Sequence, residues 1–177
     1  MKSINLEMAG KTDAFLEDHN EPVWGLTAFS EEHRLPGTLR YFKVDAMGLD
    51  FMRNTYTAEF KWDNARTTAF LTRTESADNA TLRLKQYVEH AGRFGRGAEL
   101  VDEGNLTFLV CDMNGLYDVV FPEGRLLGGI TAIADKTRAI ETGIQFRKAV
   151  RQQHGIIEPL KPDGTFFIKG PRELLGW

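Results

Sequence analysis

One cysteine, Cys111, stands in 177 residues. A lone cysteine excludes an intrachain disulfide and any zinc site built on several thiolates. It ends the apolar run Leu106–Cys111, with no base or cation beside it in sequence, so it reads as a small buried core residue. Long apolar runs are also missing. No stretch reaches the roughly 18 residues a membrane helix needs, so no membrane span is expected. Met1–Lys11 has no apolar centre of the signal-peptide kind. The expectation is a cytoplasmic chain, exported only if a leader precedes it. Nor is there an excess of positive charge: Lys and Arg number 22 against 25 Asp and Glu, a net charge of −3. General affinity for nucleic acid is therefore not expected.

Motifs that carry chemistry fail on spacing or context. Gly10-Lys11-Thr12 resembles the end of a phosphate-binding loop, but Asn5 occupies the position of the required first glycine. Gly92, Gly95 and Gly97 follow an expected helix and precede a strand, the reverse of a dinucleotide fingerprint. With Arg93 and Arg96 they read as a flexible basic connector. Asp112-Met113-Asn114-Gly115 lacks the closing Glu of a calcium loop and is a hairpin signal instead. His19, His33, His90 and His154 show no metal-ligand spacing, and no Gly-x-Ser-x-Gly elbow is present. Asn79-Ala80-Thr81 and Asn105-Leu106-Thr107 match glycosylation acceptors by form, within an expected helix and strand. No metal, cofactor or catalytic residue is assigned, and the balance leans away from an enzyme.

What is present is enough for a core. Hydrophobic residues make up 42% of the chain, with 12 Phe and 3 Trp, so disorder is not the expectation. The length suits one domain spanning 1–177. Within it, one order of elements occurs twice, in pseudo-repeat halves at 38–91 and 98–154. An N-terminal extension, 1–37, and a tail, 155–177, flank them. Thr38–Asp45 is rich in β-formers, and Arg53–Asp63 alternates, with Tyr56, Ala58, Phe60 and Trp62 on one face. Arg66–Thr74 returns as a hairpin partner. Ser76 then caps a helix to Ala91 whose apolar face carries Ala80, Leu84, Tyr87 and Val88, with Thr81 on the polar side and Gly92 as its stop. The second half repeats this with Ala98–Asp102, Asn105–Asp112, Leu116–Phe121 and a helix capped by Asp135. Pro122-Glu123-Gly124 closes its hairpin, and Gly128–Ala134 is ambiguous between strand and helix lead-in. Gly143 inside the second helix costs up to about 1 kcal/mol relative to Ala, which a close approach to the sheet would explain. Gly155 ends that helix. Outside the halves, Lys11–Asp18 reads as a short helix and Thr165–Lys169 as a final strand. The expected fold is α+β: a largely antiparallel sheet with two main helices on one face. A pair of ferredoxin-like units is the runner-up.

Phe70-Leu71-Thr72-Arg73-Thr74-Glu75-Ser76-Ala77-Asp78-Asn79-Ala80, followed by Leu84 and Tyr87, resembles a phrase in an uncharacterised bacterial family of unknown function. The likeness covers about residues 65–130. It implies an α+β fold with paired halves and no particular activity, and such relatives are often exported.

Charge is uneven along the chain. Residues 1–50 hold nine acids and five bases, and 125–154 hold six bases and two acids. The reading is a solvated basic helix face beside an acidic N-terminal segment. The aromatic face Tyr56, Phe60 and Trp62, joined by Tyr41 and Tyr87, could line a pocket, with Asp50, Arg53 or Glu59 as polar anchors. The expected function is a non-catalytic binding or protein-interaction module. A homo-oligomer or protein partner would engage the apolar tail Leu174–Trp177. The alternative is a small apolar-ligand carrier, or an enzyme, using an aromatic pocket between sheet and helices.

Overall fold

A computed structural model describes residues 28–62, 65–103 and 106–157. Strands β1 (Arg40–Phe42), β2 (Thr55–Trp62) and β3 (Ala65–Arg73) form an antiparallel meander. Helix α1 (Ala77–Phe94) follows, then β4 (Gly97–Glu103), β5 (Leu106–Asp112), β6 (Tyr117–Glu123), β7 (Leu126–Ile133) and helix α2 (Lys136–Ile157). All seven strands join one sheet in the order β1-β2-β3-β7-β6-β5-β4, antiparallel at every step. Thus α1 carries the chain from β3 to the far edge, and the second meander walks back until β7 pairs with β3. The α+β expectation holds.

Placing both helices on one face does not hold. Phe108, Val110, Val119 and Phe121 cluster with Ala139, Phe146 and Val150 of α2. Their strand neighbours Leu109, Cys111 and Val120 cluster with Leu84, Tyr87 and Ala91 of α1. Successive residues of a strand point to opposite faces, so the two helices lie on opposite sides of the sheet. The cause is the continuous apolar run in β5 and β6, which needs cover on both faces.

Close approach fixes the glycines here. A Cβ on Gly128 would lie 2.7 Å from the Phe121 ring, and one on Gly129 would lie 2.5 Å from that of Phe70. The bare backbone of β7 therefore leaves room for one aromatic ring on each face. Gly143 of α2 has the same function: a Cβ there would sit 2.6 Å from Cγ1 of Val119, as the sequence suggested.

A buried ion cluster ties α2 down. Arg147 Nε and Arg151 Nε each donate to Glu123 at 3.0 Å, and Arg147 Nη1 donates to the Thr107 carbonyl at 2.8 Å. The Arg147 guanidinium lies 5.3 Å and 5.6 Å from the ring centroids of Phe108 and Phe121. Glu123 and Arg147 are 3% and 5% exposed. The α2 bases are thus not a uniformly solvated face: two of them converge on β6.

Other boundaries shift. β1 covers only Arg40–Phe42, because Asp45 and Met47 adopt positive φ and turn the chain into a short 3-10 segment. α1 runs past Gly92 to Phe94, and Thr81 is buried with its hydroxyl on the Ala77 carbonyl, 3.0 Å away. The connector after α1 is pinned rather than loose: Arg96 N donates to the Asp112 carbonyl (2.7 Å) and Asn114 Nδ2 to that of Phe94 (2.8 Å). Pro122 and Glu123 belong to β6, the ambiguous segment is β7, and α2 continues through Gly155. The expected elements Lys11–Asp18 and Thr165–Lys169, and the tail Leu174–Trp177, lie outside the described residues.

Gly143→Ala tests the α2 contact. In an open helix this change would stabilise by up to about 1 kcal/mol. Against Val119 it should destabilise by about 1–3 kcal/mol in urea unfolding; a more stable variant would refute the contact.

Candidate functional site

The end of the sheet where β3 hands over to α1 is built from four separate segments. The β1–β2 loop brings Arg53 and Asn54, the end of β3 brings Arg73, Thr74 and Glu75, α1 brings Asn79 and Arg83, and the β6–β7 turn brings Arg125. Backbone bonds staple them: Arg73 N donates to the Asn54 carbonyl (3.1 Å), and Thr74 N donates to that of Arg125 (2.9 Å). The Thr74 hydroxyl also donates to the Arg125 carbonyl, at 2.7 Å. Tyr41 and Tyr56, direct cross-strand partners, complete the wall with ring centroids 4.9 Å apart. The Tyr41 hydroxyl donates to Asn54 Oδ1 at 2.8 Å. Asn54 itself has φ 50°, a left-handed turn that short amide side chains tolerate.

The space between these residues is an open cleft of about 720 Å³. Among the described residues, four guanidinium groups and a single carboxylate, Glu75, line it, and no aliphatic side chain does. Ser76 caps α1 by accepting the Asn79 N–H at 3.1 Å, so the positive end of an 18-residue helix opens beside the arginines. Arg83 Nη1 donates to Gln86 Oε1 at 3.0 Å, which orients it along α1. Such a constellation can hold an anion through charge-assisted, forked hydrogen bonds.

No family model, curated protein or solved structure matches this chain.

Of the residues singled out in the sequence, Tyr41, Arg53 and Tyr56 meet in this cleft. Tyr87 does not join them: it is buried on the α1 face, whereas Tyr56 belongs to the α2 face. Asp50 is exposed and lines a separate groove with Glu89, His90 and Arg93. Trp62 ends β2 six residues beyond Tyr56, about 20 Å along the strand. Its side chain lies outside the described part. Glu59, the third expected anchor, faces Arg66 at 3.6 Å instead. Arg73, Arg83 and Arg125 were missed. They come from distant stretches, and only the pairing of β3 with β7 brings them together.

A second, apolar cavity of about 200 Å³ lies between α2 and strands β2, β3 and β7, against Phe60, Ala69, Ile130, Phe146 and Ala149. Among the described residues, no group of three or more His, Cys, Asp and Glu gathers to hold a metal ion. Nor is any helix there long and apolar enough to cross a membrane.

The α1 face also holds a buried polar group. The Tyr87 hydroxyl donates to Asp118 Oδ2, and the Ala132 N–H donates to Asp118 Oδ1, both at 2.9 Å. Asp118 thereby satisfies the irregular β6–β7 register next to Tyr117, where Ala132 has φ 65°. Burial raises the Asp118 carboxyl, partly opposed by those two donors. Burial, and then the neighbouring Asp118, push the Cys111 thiol and the Tyr87 phenol far up. Cys111 is thus a protonated, inert core thiol, as its apolar run suggested.

In the unfolded chain that thiol loses its proton near 9.0, while the folded chain keeps it. The folded state then binds more protons, so stability falls as pH rises above about 9, by about 1.4 kcal/mol per pH unit for this group. Denaturant titrations between pH 8 and 10 should show Cys111→Ala losing that share of the slope. Equal slopes for both proteins would contradict the buried thiol.

Proposed function

We propose that this protein is a non-catalytic binding module whose recognition site is the arginine-lined cleft, and whose ligand presents an anionic group. The observation that supports this reading is the local charge. A chain of net charge −3 gathers, among its described residues, four arginines and one carboxylate around one cleft. Arginines scattered over a solvated surface serve solubility. Four of them brought from four chain segments to one concavity favour a ligand of opposite sign. Among its described residues the cleft is lined by arginines, amides and hydroxyls, groups suited to holding a ligand, so binding is the reading.

Isothermal titration against acetate, citrate, inorganic phosphate and pyrophosphate tests it. At least one of these anions should bind one to one. The double variant Arg53→Ala/Arg83→Ala should weaken that binding by about tenfold or more, the worth of roughly one charge-assisted contact. Failure of all four anions to bind would overturn the proposal.

The apolar cavity under α2 favours a second reading, a carrier of a small apolar ligand. It is the counterpart of the aromatic pocket expected between sheet and helix: Phe60 of the expected face lines it with Phe146, while Tyr56 lines the arginine cleft. Ala149→Leu would fill it. That variant should lose the fluorescence gain of an anilinonaphthalene sulfonate probe; an undiminished gain would dismiss the carrier.

A further inference from the structure

We infer that the cavity under α2 takes a small aromatic ring carrying a hydroxyl group, a ligand of the phenol class. The inference rests on the carrier reading above and names its ligand. Three observations narrow the class.

The first is how the cavity arises. α2 packs over β5, β6 and β7. Beside it, the segment 28–35 runs along β2, held by Leu35 N on the Glu59 carbonyl and Lys61 N on the His33 carbonyl, both at 2.8 Å. Phe29 of that segment meets Phe146 of α2, with ring centroids 5.4 Å apart. Between helix and segment lies a seam. Ala28, Ala69 and Ala149 line it from the segment, the sheet and the helix, and their methyl groups are too short to fill it. Ser30, Glu32 and Gln145, all exposed, line it from the solvent side.

Size and walls come second. The space is about 200 Å³. An apolar cavity of roughly 150 Å³ holds benzene, so one ring with a small substituent fits. Phe60 of β2 and Phe146 of α2 both line the space. Offset or edge-to-face contact between rings adds to plain apolar burial, so an aromatic ring is preferred to a saturated one.

The third observation is which hydrogen bonds remain to be made. Two buried hydroxyl side chains, Thr67 and Thr142, line the cavity. Thr67 donates to the Thr131 carbonyl, and Thr142 donates to the Arg138 carbonyl at 2.7 Å. A threonine hydroxyl carries one proton and two lone pairs. With the proton committed, each side chain offers a ligand a methyl group or an accepting oxygen. A ligand that only accepts gains nothing from them, whereas a phenolic hydroxyl has a proton to donate.

Titrations of the full chain, followed on the methyl resonances of Ala69, Ile130 and Ala149, test this with phenol, benzonitrile and cyclohexanol as probes. Benzonitrile is close to phenol in size but only accepts; cyclohexanol donates but has no aromatic face. Phenol should shift these methyls and bind at least about threefold more tightly than either of the others. Thr67→Val/Thr142→Val keeps the shape and removes both accepting oxygens, and should bring phenol down to the affinity of benzonitrile. Should that variant fail to fold, the three probes on the unsubstituted chain decide alone. Benzonitrile binding as tightly as phenol would overturn the inference and leave the carrier reading standing. Cyclohexanol binding as tightly would overturn the aromatic assignment, and a phenol advantage that survives in the valine pair would overturn the part given to the threonines. No methyl shift with any probe would overturn the inference outright, and the naphthalene sulfonate result then decides the carrier reading by itself.

Discussion

Strands β5 and β6 are apolar on both faces, and the rest of the architecture follows from that constraint. Leu109, Val110 and Cys111 in β5, and Val119, Val120 and Phe121 in β6, leave neither side fit for water. An antiparallel sheet can face solvent on one side only if its strands alternate. These do not, so one helix must cover each face. After β3 the chain can meet that demand by crossing to the far edge with α1 and returning strand by strand to β7, then laying α2 over the other side. The crossover leaves the start of α1 beside the end of β3 and the β6–β7 turn. The arginine cleft is a consequence of that corner.

β6 anchors both helices, and its two buried carboxyl groups divide the work. Asp118 points to α1 and accepts from Tyr87; Glu123 points to α2 and accepts from Arg147 and Arg151. Burying charge carries a large desolvation cost, offset here by the hydrogen bonds of Glu123 and Arg147 and by the rings of Phe108 and Phe121 beside the Arg147 guanidinium. Apolar burial alone would let each helix slide along the sheet. One polar tie per face gives each a fixed register, while Gly143 lets α2 approach Val119 closely.

Local elements were legible in the sequence because they rest on local signals. The alternation of Tyr56, Ala58 and Phe60, the Asn114-Gly115 turn, and the caps Ser76 and Asp135 each act within a few residues. The opposite placement of the helices was signalled too, by apolar runs without alternation, but a continuous run fits a buried strand of any topology. Strand order was not legible, since pairing β3 with β7 joins residues nearly sixty positions apart. For the same reason Arg53 could be singled out as an anchor, while Arg73, Arg83 and Arg125 could not be joined to it. Tyr87 was grouped with Tyr41 and Tyr56 because all are aromatic. The sheet that separates them is a long-range fact.

Backbone amide resonances followed during a pyrophosphate titration test the central claim most directly. Shifts should concentrate at Asn54, Thr74 to Asn79 and Arg125, the segments that the crossover brings to one corner. Shifts centred instead on the bases of α2, or spread evenly over the surface, would contradict it.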